Sequence, residues 1–210
     1  VNHGRAEELF LMQPDLVLAG TWTTRATVNL LRRLGFEVAE FAPATSFDDI
    51  RANIRRMGRL LGREARAEAL VAELDARLEA AKPAPGSAPP RAALRDAGSL
   101  TSGVGTLANA IVEAAGLGSI AAELGLKGMA RLPLETLVMA APDMLITSGR
   151  YEGRSLAEAS LDHPALRRVA AGVGGTATSD ARWVCGGPFT AAAVAELAEA
   201  RDRLVEGAPR

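Results

Sequence analysis

Glu7-Glu-Leu-Phe-Leu-Met-Gln-Pro-Asp-Leu-Val-Leu-Ala-Gly20 and Glu135-Thr-Leu-Val-Met-Ala-Ala-Pro-Asp-Met-Leu-Ile-Thr-Ser148 are two versions of one unit. Glu7, Leu9, Pro14 and Asp15 correspond to Glu135, Leu137, Pro142 and Asp143 at a single offset of 128 residues (135 − 7 and 143 − 15). Each copy reads as a turn or two of helix stopped by proline, followed by a short strand. Proline lacks the amide N–H and its ring clashes with the preceding turn, so the helix ends there. Leu16-Val-Leu18 and Met144-Leu-Ile146 show no polar alternation, the pattern of strands covered on both faces. A unit used twice at long range predicts two similar lobes, and two lobes predict a cleft.

Outward from the first copy, Gly20-Thr-Trp-Thr-Thr24 is a polar loop in which Thr23 or Thr24 could cap a helix. That helix runs to Leu34 with Val28, Leu31 and Leu34 on one side and ends at Gly35. Phe36 to Phe41 alternates as a strand does. Ser46 or Thr45 caps the next helix, whose stripe is Ile50, Ile54, Met57 and Leu61. After Gly62, Arg63 to Ala81 forms a helix about 30 Å long. A Pro-rich linker over 83–90 follows.

The second half offers a strand from Arg91, the Gly-rich stretch Gly98 to Gly105, a helix from Thr106 to Ala115, and the second copy of the unit. A short helix at 162–168, a strand at 174–179 and a closing helix from Phe189 to Val205 complete it. Strands alternating with helices argue for parallel α/β layers. The expected organisation is a partial α/β lobe at 1–45, helices at 46–82, the linker at 83–90, and a second α/β lobe at 91–210. With only two strand candidates, the first lobe is expected to be incomplete at its N-terminus, since a two-stranded lobe leaves its sheet uncovered.

The composition excludes several classes. A formal net charge of −1 gives no field to attract nucleic acid or an anionic membrane. Cys185 stands alone, so the chain has neither an internal disulfide nor a cysteine cluster for metal. No apolar run reaches the ~18 residues a membrane helix needs. No signal-peptide pattern opens the chain; an exported protein is expected to have lost it, with some folded sequence.

Open parallel sheets bind ligands beyond the carboxyl ends of their strands. Those positions here are 21–24, 98–105, 149–154 and 181–187. Trp22, Tyr151 and Trp183, the aromatics with a polar handle, all fall in these loops. Each could instead fold back onto its own lobe; together they favour a cleft. Arg150, Arg154 and Arg182 share the loops and suit carboxylates or other oxyanions, though any one could be a solvated loop charge. The Gly-rich stretch lacks the GK[ST] ending of a phosphate loop and reads as a tight turn, from which Ser102 could still point into the cleft. His3 and His163 lie far apart, His163 at a helix start, and Cys185 has no acid and histidine partners. No acid/base or metal site is composed.

In order along the chain, these residues resemble the class III substrate-binding proteins of ABC importers, the group that handles vitamin B12, ferric siderophores and haem. The matching features are Glu-x-Leu-x4-Pro-Asp-Leu-Val-Leu-Ala, Leu34-Gly-Phe-Glu-Val, Ser46-Phe-Asp-Asp-Ile, Leu61-Gly-Arg-Glu-Ala-Arg-Ala, Gly103-Val-Gly-Thr-Leu, Ala115-Gly and Leu134-Glu-x6-Pro-Asp. The resemblance implies two Rossmann-like lobes with parallel sheets, joined by a long rigid helix at Arg63 to Ala81. It implies a monomer outside the cytoplasm that binds a small-molecule metal chelate and docks an ABC permease. No cofactor of the protein's own is implied, the ligand itself carrying iron or cobalt. Carried over by position, Thr21, Trp22, Thr23, Ser102, Arg150, Tyr151, Arg182 and Trp183 form the ligand-binding set. The family presents a docking glutamate on each lobe; Arg25-Ala26 and Cys185 stand at the expected places. The expected function is a solute-binding component for a ferric siderophore or related iron complex. The alternatives are a corrinoid carrier and a non-transport sensor or scaffold. An enzyme using Ser102 and Thr106 on a phosphorylated substrate ranks last.

Overall fold

The computed structural model describes residues 5–86, 88–148, 164, 166, 174–178 and 181–207. Arg150, Tyr151, Arg154, His3, His163 and most of the helix expected at 162–168 lie outside the described residues. The chain divides into two compact units, Val1–Pro43 and Ala44–Arg210.

The doubled unit is the same structure in both places. Helices α1 (Ala6–Met12) and α7 (Leu134–Ala140) begin and end 128 residues apart (134 − 6 and 140 − 12). Each is stopped by a left-handed residue before the proline, Gln13 at φ 46° and Ala141 at φ 46°. Their amide N–H groups donate back to the Phe10 and Val138 carbonyls, 3.4 and 3.2 Å away. The chain is thereby turned out of the helix, and Pro14 or Pro142 prevents the helix from resuming. Strands β1 (Val17–Gly20) and β7 (Met144–Ser148) follow.

In the first unit β1 pairs in parallel with β2 (Val38–Phe41), from Val17↔Val38 to Gly20↔Phe41. Helix α2 (Arg25–Arg33) connects them, with Val28 and Leu31 buried. Gly35, at φ 88°, releases the chain toward β2. Ala6, Val17 and Leu31 form a small core with Leu9 and Val38 against it. Full coverage, expected for both repeat strands, fails for β1: Leu18 is 50% exposed, and among the described residues β1 has only β2 beside it.

In the second unit the same strand is central. The parallel sheet has the order β5-β3-β7-β8, where β3 is Arg91–Arg95, β5 is Gly118–Ser119 and β8 is Gly174–Thr178. Met144, Leu145 and Ile146 are each 2% exposed or less, as strands between two helix layers require. One layer contains α3 (Phe47–Leu60), α4 (Glu64–Ala80), α5 (Leu107–Ala114) and the closing α9 (Thr190–Gly207), sharing a core of Ile50, Leu74, Ile111 and Val194. The other contains α6 (Ile120–Glu123) and α7, with Ile120, Leu132 and Leu137 against Leu145. Helices α3 and α4, read from sequence as a segment of their own, are built into this core. Ser46 caps α3 by accepting from Asp49 N–H at 3.1 Å. Thr45 donates its N–H and its hydroxyl to the Asp49 carboxylate, each at 2.9 Å, and these bonds hold that carboxyl below its usual range.

An antiparallel pair was not expected. β4 (Leu100–Ser102) pairs with β6 (Met129–Arg131), so the stretch read as a loop is partly strand. Runs this short carry no sequence period and form only when tertiary structure supplies a partner.

The two repeat helices differ in what covers them, and stability should report it. Leu137→Ala removes a fully buried side chain and is expected to cost ~2–5 kcal/mol. Leu9→Ala, at a half-buried position, is expected to cost clearly less in the same urea titration. Equal losses would contradict this packing.

Candidate functional site

The carboxyl ends of the parallel strands carry the residues to be placed. Beyond β1, Thr21 N–H donates to Phe41 O at 3.0 Å and Thr23 N–H donates to Gly20 O at 2.9 Å. This tight turn leaves Trp22 at its tip, 87% exposed. Thr21 is exposed, and half-buried Thr23 lines a groove of about 360 Å³ beside β1 with Leu9, Met12, Pro14 and Leu18. Thr24 precedes α2, but neither expected threonine cap forms there; no side-chain bond caps that helix.

In the second unit the expected residues are more enclosed. Ser102 ends β4, is 7% exposed, and donates its hydroxyl to Met129 Sδ at 3.4 Å. Arg182 lies on a short helix, α8 (Ala181–Val184), where a loop was expected, and pairs with Glu196 of α9. Trp183 is 9% exposed. It sits in the core with Leu107, Ile111 and Val194, because the helical turn directs it inward between α5 and α9. The structure thus presents Trp22 to solvent and uses Trp183 for packing. Cys185 is exposed and free.

The Gly-rich stretch is occupied by its own fold. Gly103 N–H donates to Gly128 O at 2.8 Å and Val104 N–H to Leu126 O at 2.9 Å. A Cβ on Gly103 would lie 2.3 Å from Leu126 O, so glycine there serves a close backbone crossing. Thr106 caps α5 through Asn109 N–H at 3.2 Å and donates to Gly103 O at 2.8 Å. These donors are spent on pairing and capping rather than left open for phosphate. Among the described residues no group of three His, Cys, Asp or Glu side chains could hold a metal.

One charged residue escaped sequence reasoning. Arg95, the last residue of β3, is 2% exposed. Its Nη1 donates to Leu132 O at 2.7 Å and its Nη2 to Ser99 Oγ at 2.9 Å. Nε has no partner, and neither has the buried Thr101 hydroxyl. Burial pulls the Arg95 pKa down, with the Glu135 charge opposing. The available signal was an arginine closing a short apolar run, at the strand end where ligands bind.

The two tryptophans give a direct check on this geometry. Trp183→Phe should leave red-shifted emission readily quenched by acrylamide, from Trp22. Trp22→Phe should leave blue-shifted emission that resists quenching. Similar quenching in both variants would contradict the placement.

The comparisons agree with this architecture. The sequence pattern described as Periplasmic binding protein matches residues 2–174. The search of curated proteins returned no match. Among solved structures, the periplasmic heme-binding protein RhuT from Roseiflexus sp. RS-1 is 24% identical with TM-score 0.73, over 95% of this chain and 80% of that one. The periplasmic heme-binding protein HutB of Vibrio cholerae is 18% identical with TM-score 0.79, over 94% and 81%. An ABC-type Fe3+-hydroxamate transport protein from Saccharomonospora viridis is 24% identical with TM-score 0.67, over 97% and 72%. Members of this group bind solutes and are not enzymes. With the match spanning most of the sequence, the chain belongs to the periplasmic binding protein family.

Proposed function

We propose that the chain is the extracytoplasmic solute-binding component of an ABC importer and that its cargo is a ferric siderophore or related iron complex. The observation that carries this is Trp22, held 87% exposed by a hydrogen-bonded turn at the carboxyl end of a parallel strand. A tryptophan in water has no packing role, whereas a flat amphipathic ring suits the face of a large chelate. The names of the relatives supply the cargo class: two are called heme-binding and one a Fe3+-hydroxamate transport protein. Among the described residues no helix is long and apolar enough to cross a membrane.

A second reading, a ligand-binding sensor or scaffold that engages no permease, is favoured by the residues at the expected docking positions. Arg25 stands where the first docking glutamate was expected, its side chain 73% exposed and 3.5 Å from Glu40. Cys185 stands at the second, also exposed. An exposed cation in place of an anion reverses the charge offered to a partner.

Titration of the full chain with a ferric hydroxamate, haem and cobalamin, followed by tryptophan fluorescence, tests the cargo. A ferric complex or haem should quench saturably, and Trp22→Ala should weaken binding about tenfold or more. Binding of cobalamin alone would transfer the assignment to corrinoids, and binding of none would end it.

A further inference from the structure

Helices α3 and α4 pack as an antiparallel hairpin whose sides and tip treat arginine differently. Along the sides the cations are matched: Arg51 pairs with Asp75 at 2.7 Å, Arg55 with Glu68 at 2.9 Å, and Arg77 with Glu73 at 2.6 Å. At the tip they are not. Arg59, Arg63 and Arg66 are exposed, and among the described residues none of the three side chains has an ion pair or a hydrogen bond. Residues 55–66 hold five arginines against one acid, Glu64, a local excess that the net charge of −1 averages away.

Helix stability does not account for these positions. Arg59 suits the carboxyl end of α3, but Arg63 is the N-cap residue of α4 and Arg66 lies in its first turn, where the helix dipole disfavours cations. The turn between them is fixed. Leu61 N–H donates to Met57 O at 3.1 Å, Gly62 N–H to Arg59 O at 3.3 Å, and Arg63 N–H to Gly58 O at 2.7 Å. A Cβ on Gly58 would lie 2.5 Å from the Ala67 Cβ, so glycine lets the two helices close there. Between the two arginine-bearing helix ends this turn presents Leu61, 55% exposed.

Guanidinium groups match phosphate oxygens with two parallel N–H groups. An apolar side chain at the end of a hairpin gains most from a surface that yields around it. A bilayer bearing anionic lipid offers both, phosphates at the surface and acyl chains just beneath. Nucleic acid would match the charge and leave Leu61 in water, and an acidic protein would need a pocket shaped for it. We propose that the α3–α4 tip docks the chain on anionic phospholipid, with Arg59, Arg63 and Arg66 at the headgroup phosphates and Leu61 at the acyl boundary. Attachment is weak and reversible, since each arginine near such a surface raises partitioning about fivefold. The inference goes beyond the transport reading and depends on no cargo.

The test is co-sedimentation of the full chain with vesicles of phosphatidylcholine alone or with about one-third phosphatidylglycerol, the fold of each variant being checked by circular dichroism. The wild type should bind the anionic vesicles, leave the neutral ones, and release as salt is raised. Arg59→Gln, Arg63→Gln and Arg66→Gln should each lose about fivefold, and the triple variant on the order of a hundredfold. Leu61→Ser should weaken binding and keep its salt dependence. Arg77→Gln, at the other end of the hairpin, should bind as the wild type does. Equal binding to both vesicles, or equal losses from Arg77→Gln and the tip variants, overturns the proposal. So does binding to polyglutamate through the tip with none to vesicles, which would assign the tip to an acidic protein.

Discussion

A helix that must stop one residue before a proline sets the geometry of both units. Gln13 and Ala141 take a left-handed turn at the same φ, and the proline that follows has no N–H with which to resume the helix. The chain leaves the helix in a fixed direction and enters the sheet as β1 or β7. A non-glycine residue with φ near 46° is strained, and the strain persists only where packing over-determines it. In the second unit that packing is evident, with Leu137 of α7 and Ile146 of the strand both fully buried. The strand carboxyl ends, and hence the positions from which a solute can be held, follow from where these stops are placed.

Local chemistry was the legible part of the sequence. The helix–proline–strand order of the doubled unit, the Ser46 cap and the helix end at Gly35 depend on a few neighbouring residues, and they took the expected form. β4, β5 and β6 were not legible, since strands of two or three residues exist through their partners and not through a period of their own. At the candidate site, exposure was the difficulty. Trp22 and Trp183 look alike in sequence, yet a four-residue helix turns Trp183 into the core while a hydrogen-bonded turn holds Trp22 in solvent. Arg95 was hidden for the opposite reason. An arginine after Ala92-Ala-Leu94 suggests the end of burial, but the Leu132 carbonyl and Ser99 hydroxyl enclose it.

The charge distribution of the second unit separates framework from binding. Arg201 on α9 is 4% exposed and donates to Ala81 O and Ala115 O at 2.9 and 2.6 Å, closing the carboxyl ends of α4 and α5. Arg91 is engaged with the Glu123 carboxylate at 2.6 Å. These arginines are matched by helix-end carbonyls or by carboxylates, as structural cations are. Arg95 instead donates to the Leu132 carbonyl and the Ser99 hydroxyl, with the Glu135 charge acting on it without a hydrogen bond. Framework arginines thus lock the layers together.

The central claim is that a solute is held at the carboxyl ends of the parallel strands. Amide hydrogen exchange on the full chain, with and without a saturating ferric complex, addresses it most directly. The account predicts new protection in 20–24, the turn that carries Trp22, with little change at the amino ends of β1, β3 and β7. Protection confined to those amino ends, or to the outer surfaces of α1 and α7, would contradict it.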